Sequence, residues 1–447
     1  MHSLRSVCTL AACLAVGACV ALSEEKPAVH VMSLQEQAET LYDLNVKRVD
    51  RLMLPAMRNA GIDCWVIMSR EGFIDPVLEY IRDENGEGGH RNAFIFFDDG
   101  SERLRRTVIG THLPGSDSRI WDEILSYPSD YGEEGPSLQP ELRRVIHELR
   151  PQRIGVNQSR TIGTSDGLTV EMRKHLENAI GPRYARRIVS AEQVSTEFLG
   201  THIAEEFPLF EEAARIGQLV HEEVLSNKVI EPGVTTVNEV IWYAYNRMHE
   251  LGVVPGYPVT LSVNRQGERV GGPNTVIQPG DLLKTDIGII YTGLYTDFKR
   301  TAYVLKPGET AAPEGVQIAL DNAVKVQDAV AQVAVPGVLG YEVKEQAEAI
   351  CAQQGVEANV ASHSVDGFIH GVGSWFAANW PDRTSVRSTF PVRNGAFYAL
   401  ESSATTEIPE WGNKRLSFGT EETVFATPEG LRNFIPRQEE LYLIRSQ

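Results

Sequence analysis

The sequence predicts two domains, an α/β first half and a second half in which long amphipathic helices alternate with strands. Three observations carry this. The chain has 447 residues, more than the roughly 250–300 at which a single core stops growing. Its first half alternates short apolar runs with helical patterns, and near residues 191–201 the periodicity lapses before longer helices begin.

In the first half, residues 34–61 read as helix, and Gly61-Ile62-Asp63 then turns into a buried-strand run at 64–68. A second strand, 93–97, ends at the turn signal Asp98-Asp99-Gly100, and 104–109 has the pattern of its hairpin partner. Helical patterns at 140–149 and 170–179 alternate with short strands at 153–156 and 187–189. Beyond the lapse, Thr236-Val237-Asn238-Glu239 is a capping box, and Val237, Val240, Ile241, Ala244, Met248 and Leu251 keep one helix face as far as Gly252. Strands follow at 259–264, 282–290 and 295–305, helices at 314–333 and 342–354, and strands at 397–402 and 420–426.

Composition narrows the function. Hydrophobic residues are 42% and charged residues 23%, the proportions of a globular chain. The net charge of −18 and the lack of a basic stripe exclude nucleic acid as a partner. At the N-terminus Arg5, an apolar stretch at 7–22 and then Glu24, Glu25 and Lys26 form the layout of a secretory signal. Cleavage after Ser23 and lipidation of Cys19 behind Val16-Gly17-Ala18 are its two processing routes. The expectation is therefore an exported protein, periplasmic or held to the membrane by a lipid, with outright secretion as a variant. Cys8, Cys13 and Cys19 fall in this segment, which leaves Cys64 and Cys351, both in apolar patterns, as buried thiols and gives no disulfide framework.

The second half carries a constellation of metal-ligand types. Asp286 and Asp297 stand on two strand patterns joined through Tyr291-Thr292-Gly293. Folding that hairpin puts the two carboxylates within about a residue of opposition, where Cβ atoms are roughly 4.5–5.5 Å apart. Carboxylates that close favour a cation. His363 and His370 follow in a glycine-bearing stretch that is not a helix, and Glu401 and Glu421 sit in apolar strand patterns where an unpaired carboxylate is costly.

In order and spacing these residues resemble the pita-bread metallopeptidases, the family of methionine aminopeptidase, aminopeptidase P and prolidase. Gly280-Asp281-Leu282-Leu283-Lys284-Thr285-Asp286-Ile287-Gly288 and Tyr295-Thr296-Asp297-Phe298-Lys299-Arg300-Thr301 resemble its two aspartate strands. Leu400-Glu401-Ser402 and Thr420-Glu421-Glu422-Thr423-Val424 resemble its two glutamate strands, with Glu422 on a non-ligand position. The resemblance, from about residue 204 onward, implies an α+β pita-bread catalytic domain at 200–447. Leu54-Pro55-Ala56-Met57, Ser69-Arg70-Glu71 and Asp75-Pro76-Val77 resemble the creatinase-type α/β domain of the proline-directed branch, implied here at 34–190.

The same resemblance implies two divalent ions, manganese first and cobalt or zinc as alternatives. Asp286 would hold one, His363 and Glu401 the other, and Asp297 and Glu421 would bridge them. Glu401 would act as general base and His370 would bind the substrate. The implied activity is that of an Xaa-Pro aminopeptidase or dipeptidase on short peptides, in a homodimer. Three departures bear on specificity: two further histidines of proline-directed members are replaced, one by Glu268 or Arg269 and the other by Asn359, and Gly419 stands in place of an arginine. Another amide or ester hydrolase, a metal-free pita-bread enzyme and a non-catalytic binding module are the alternatives on the same fold.

Overall fold

Ser33 accepts from the Glu36 amide while the Glu36 carboxylate reaches back to Ser33, so the helix Leu34–Arg48 starts at a capping box. It continues through a π turn, Val49–Met53, into Leu54–Asn59. The computed structural model describes residues 29–82, 89–111, 118–127, 138–378 and 386–446; the signal read at 1–23 lies outside them.

Cys64–Arg70 is a central strand of a six-stranded sheet. It pairs antiparallel with Gly89–Phe97, which pairs with Arg105–Thr111, and on its other side runs parallel to Ile154–Val156. Strand alternation sorts its side chains into two cores. Cys64, Val66 and Met68 meet the helices Gln139–Leu149 and Val170–Ala185, whereas Trp65 and Ile67 meet Met53, Met57, Val194 and Phe198.

The sequence left residues 191–201 without periodicity, but they contain the helix Glu192–Leu199. Val194, Ser195, Thr196, Phe198 and Leu199 are its buried positions, behind a buried Ala191 at the N-cap. Ser195 and the polar residues between them dilute the apolar count, which hides a face at helical spacing. This helix is packed into the core of the first half together with Val372 from the second.

The second half is built on a ten-stranded sheet. Its central neighbours are Phe397–Ile408, Lys414–Thr427, Phe298–Val304, Asp281–Ile287 and Thr260–Arg265, in that order. The helices Glu314–Val333 and Gly340–Gln353 cover one end of the sheet, and Glu206–Val224 and Val237–Glu250 the other. On the first two strands even-numbered residues such as Tyr398, Leu400, Phe418 and Val424 enter the helix-packed core. Glu401 and Glu421 are odd-numbered and face the other way. Glu422 is even-numbered and forms a buried two-pronged pair with Arg300, 2.8 Å on each prong, as its non-ligand position implied.

Candidate metal centre

Strand register, more than sequence distance, assembles the site. Asp286 is opposite Lys299, Lys299 opposite Glu421, and Glu421 opposite Glu401, so four neighbouring strands present one row of side chains on one face. His363, opposite Ala399, brings the imidazole to the same edge. The residue facing Asp286 is thus Lys299 and not Asp297, two positions from what the folded hairpin suggested. Gly288 accounts for the offset: it ends the first strand, and a Cβ there would come 2.1 Å from the Thr296 carbonyl oxygen. The hairpin continues as a separate small sheet in which Ile290 faces Tyr295 around Thr292-Gly293.

Asp297, His363 and Glu421 converge, each offering one ligand atom within 4.8 Å of the others. His363 Nε2 is 3.6 Å from Asp297 Oδ2 and 3.9 Å from Glu421 Oε1. His363 Nδ1 lies 3.2 Å from the Ser364 carbonyl oxygen; donating its N–H there keeps the proton on Nδ1 and leaves the Nε2 lone pair for a ligand bond. Glu421 Oε1 is buried without a hydrogen-bond partner. Burial and the neighbouring Asp286 push the Asp297 carboxyl up to about 7, and burial beside Asp297 pushes Glu421 up as well. A hard, oxygen-rich set with one imidazole and an unsatisfied carboxylate oxygen fits a divalent cation.

Asp286 and Glu401, the other two expected ligands, are engaged by protein groups. Lys299 Nζ donates to Glu401 Oε1 at 2.7 Å and to Glu421 Oε2 at 2.6 Å, and lies 3.4 Å from Asp286 Oδ2. Burial alone would raise Glu401, but the Lys299 ammonium outweighs it and holds the carboxyl below its usual range. The Tyr257 hydroxyl is 2.6 Å from Asp286 Oδ1 and from Asp297 Oδ1. Neither Lys299 nor Tyr257 was singled out from the sequence. The strand parity of Asp297 and Lys299 could have revealed the lysine; Tyr257, on a loop, left no periodic signal.

His370 stands beside the ligands, its ring 4.5 Å from that of His363 and edge-on to it. Its loop is held from outside, because Arg387 donates to the carbonyl oxygens of His370 at 3.1 Å and Gly371 at 2.7 Å. The glycines of this stretch are steric necessities: a Cβ on Gly371 would come 2.4 Å from the Asp366 nitrogen, and one on Gly373 2.6 Å from Asp366 Oδ2. Burial, and then the neighbouring His363, lowers the His370 pKa, so the ring is neutral at pH 7.

A cavity of about 360 Å³ opens beside Asp286 and Lys299 and is lined also by Lys284, Arg269, Ser262 and Gly419. Of the positions that depart from the proline-directed pattern, Arg269 and Gly419 reach this cavity. Glu268 instead pairs with Lys414 at 2.8 Å, and Asn359 accepts from Lys344 at 3.2 Å.

Residues 208–428 match the sequence model of Metallopeptidase family M24. This segment is an M24 domain. A methionine aminopeptidase of Pyrococcus abyssi is 29% identical over 205 residues, 44% of this chain and 63% of that protein. The chain thus spans less than two thirds of the length of such curated relatives. Solved structures show the same fold for the M24 domain together with the first half. An X-Pro aminopeptidase of Thermotoga maritima superposes with a TM-score of 0.66 at 15% identity, covering 87% of this chain and 99% of its own. An Xaa-Pro dipeptidase of Bacillus anthracis superposes with a TM-score of 0.63 at 18% identity, covering 92% and 99%. The expected α/β domain followed by a pita-bread domain is therefore the architecture of this chain.

Proposed function

We propose that this protein is a metal-dependent exopeptidase of the Xaa-Pro aminopeptidase or dipeptidase type, hydrolysing a peptide bond near the N-terminus of short peptides. The observation that carries the reading is the convergence of Asp297, His363 and Glu421 around a buried carboxylate oxygen that has no other partner. A divalent ion on these ligands would supply Lewis-acid polarisation of the scissile carbonyl and acidify a water from about 15.7 toward about 7.

The chain's own groups do the rest. Glu401 Oε1 is held by Lys299, which leaves Oε2 to accept the proton of the attacking water and return it to the leaving amine. Neutral His370 donates to the substrate carbonyl oxygen as negative charge develops there. Manganese is the first choice of ion, cobalt and zinc the next, and the count of two ions comes from the family resemblance alone. Export, with the N-terminus removed after Ser23 or lipidated at Cys19, and a homodimeric assembly belong to the same proposal. Among the described residues no helix is long and apolar enough to cross a membrane.

One observation favours a second reading, a metal-free member of the family: the Lys299 ammonium already lies among three of the acids. A peptide library on protein stripped of metal and then reloaded with Mn²⁺ separates the two. Cleavage that needs Mn²⁺ and stops on chelation supports the proposal. Cleavage unaffected by chelation selects a metal-free peptidase, and no cleavage under either condition defeats the exopeptidase.

A further inference from the structure

Lys299 is not placed at the centre by chance of side-chain rotation. Backbone pairing sets it directly opposite Asp286 on one side and Glu421 on the other, and Glu421 is in turn opposite Glu401. Residues directly opposite in a sheet share a face, so the lysine must emerge among these three acids unless its strand is re-registered. Its ammonium lies 2.6 Å from Glu421 Oε2, 2.7 Å from Glu401 Oε1 and 3.4 Å from Asp286 Oδ2, with only 12% of the side chain exposed.

Resting on the proposed metal-dependent function, we propose that Lys299 permanently takes the place of one of the two cations implied by the family resemblance. The centre then holds a single divalent ion, on Asp297, His363 and Glu421. Charge supports one ion and opposes two. Asp286, Asp297, Glu401 and Glu421 contribute four negative charges, and Lys299 and the adjacent Lys284 return two positive ones. One divalent ion balances what remains. A second would stand against an ammonium that already uses an oxygen of each of three carboxylates, in a buried site where like charges are poorly screened.

Lys299 has no favourable route out of the way. The cavity beside it is lined by Lys284 and Arg269 as well as Asp286, so swinging outward would give up Glu401 and Glu421 and bring the ammonium toward two cations. Glu421 is shared: Oε2 serves the lysine, while Oε1, the oxygen without a protein partner, is left for the ion.

The test is metal content and not activity. Full-length protein is stripped, reloaded with Mn²⁺, freed of excess and assayed by elemental analysis and electron paramagnetic resonance. The expected result is close to one ion per chain with the hyperfine pattern of an isolated Mn²⁺. Lys299→Thr, which removes the ammonium and keeps a β-favouring residue, is expected to take close to two ions and show the signature of an exchange-coupled pair. Two ions or a coupled pair in the unaltered protein overturns the proposal, as does the absence of any ion. So does a folded Lys299→Thr that still binds only one. Should that variant fail to fold, the count and spectrum of the unaltered protein still decide. The functional reading fails separately: protein with one ion that cleaves no peptide keeps this inference and defeats the exopeptidase, and two ions with cleavage do the reverse.

Discussion

Glu401 is the residue whose replacement separates chemistry from folding. Glu401→Gln keeps a polar side chain near Lys299 but cannot accept a proton, so kcat is expected to fall by roughly 10²–10⁴-fold while the unfolding midpoint changes little. Steady-state kinetics beside a thermal melt reads both. The two histidines are expected to part in the same way. His363→Ala is expected to strip metal, because Nε2 converges with the Asp297 and Glu421 carboxylates, whereas His370→Ala is expected to retain metal and lose rate; the opposite pattern would mean that their roles are exchanged. A fourth residue reports on stability alone. Asp75 is buried in the first half, accepts from the Val77 amide at 3.0 Å and Asn157 Nδ2 at 2.8 Å, and leaves Oδ2 without a partner. Burial pushes its carboxyl up to about 7 from an ordinary value of 3.8. The folded state therefore holds this proton more tightly than the unfolded chain, so its contribution is full below about 3.8 and is lost as pH rises through about 7. Asp75→Asn, neutral at every pH, should flatten the pH dependence of the urea midpoint between those values. An unchanged profile would show that Asp75 is ionised in the fold at little cost.

Among the elements, the strands that carry Asp286, Glu401 and Glu421 were legible because each acid sits in an apolar run, whereas the two-residue strand at His363 left no pattern in its serine- and glycine-bearing stretch. Pairing register was not legible to the same degree. The two-residue turn at Thr292-Gly293 is written in the sequence, but the break at Gly288 is a steric consequence of how closely two strands approach. That break decides that Lys299, and not Asp297, faces Asp286. The connection between the halves was hidden for a different reason, since it is made of charged residues that a hydrophobic pattern ignores. Arg48, at the end of the first helix, donates to both Glu206 carboxylate oxygens at 2.7 and 2.9 Å with both side chains buried. His202 stacks on Phe397, centroids 3.6 Å apart, between Glu206 Oε2 at 3.3 Å and Asp366 Oδ1 at 3.0 Å. Asp366 belongs to the loop between His363 and His370. Glu206→Gln leaves the Arg48 charge buried without its counterion and is expected to cost roughly 3–5 kcal/mol in urea unfolding, with a lower kcat through the loosened loop. Arg48→Met combined with Glu206→Leu should recover most of that stability, because the buried pair is removed whole. A single variant within about 0.5 kcal/mol of the unaltered protein would show that water reaches the pair and replaces the lost partner.

At the scale of the whole molecule, the cavity beside the candidate centre is built entirely by the ten-stranded sheet, and the sequence pointed to its specificity through residues that are absent. The proline-directed pattern is lost at Asn359 and Gly419. Asn359 is drawn away to Lys344 on the surface, and Gly419 makes room for a new group, since a Cβ there would come 3.1 Å from Lys284 Nζ. What replaces the missing side chains was not legible, because Lys284 looks like an ordinary strand lysine until Phe418 and Gly419 are folded beside it. The resulting cavity carries Lys284 and Arg269 together with the hydroxyls of Thr260, Ser262 and Ser417, beside Asp286 and the apolar Val263, Leu282, Leu416 and Phe418, so its two cations are what sets it apart. Burial, and then the neighbouring Lys299, lowers the pKa of Lys284, so an anion entering the cavity would also relieve a disfavoured charge. A residue bearing a carboxylate after the scissile bond is therefore expected to be preferred over proline. On metal-loaded enzyme, kcat/KM should rank Xaa-Asp and Xaa-Glu above Xaa-Ala and Xaa-Pro by about tenfold, or about 1.4 kcal/mol of transition-state discrimination. Added salt should narrow the gap, since these cations are reached from solvent. Lys284→Met should abolish the preference and leave Xaa-Ala cleavage within a few-fold. A hundredfold preference for Xaa-Pro, about 2.7 kcal/mol, would show instead that other residues rebuild a proline pocket and that the cationic cavity lies off the path of the substrate.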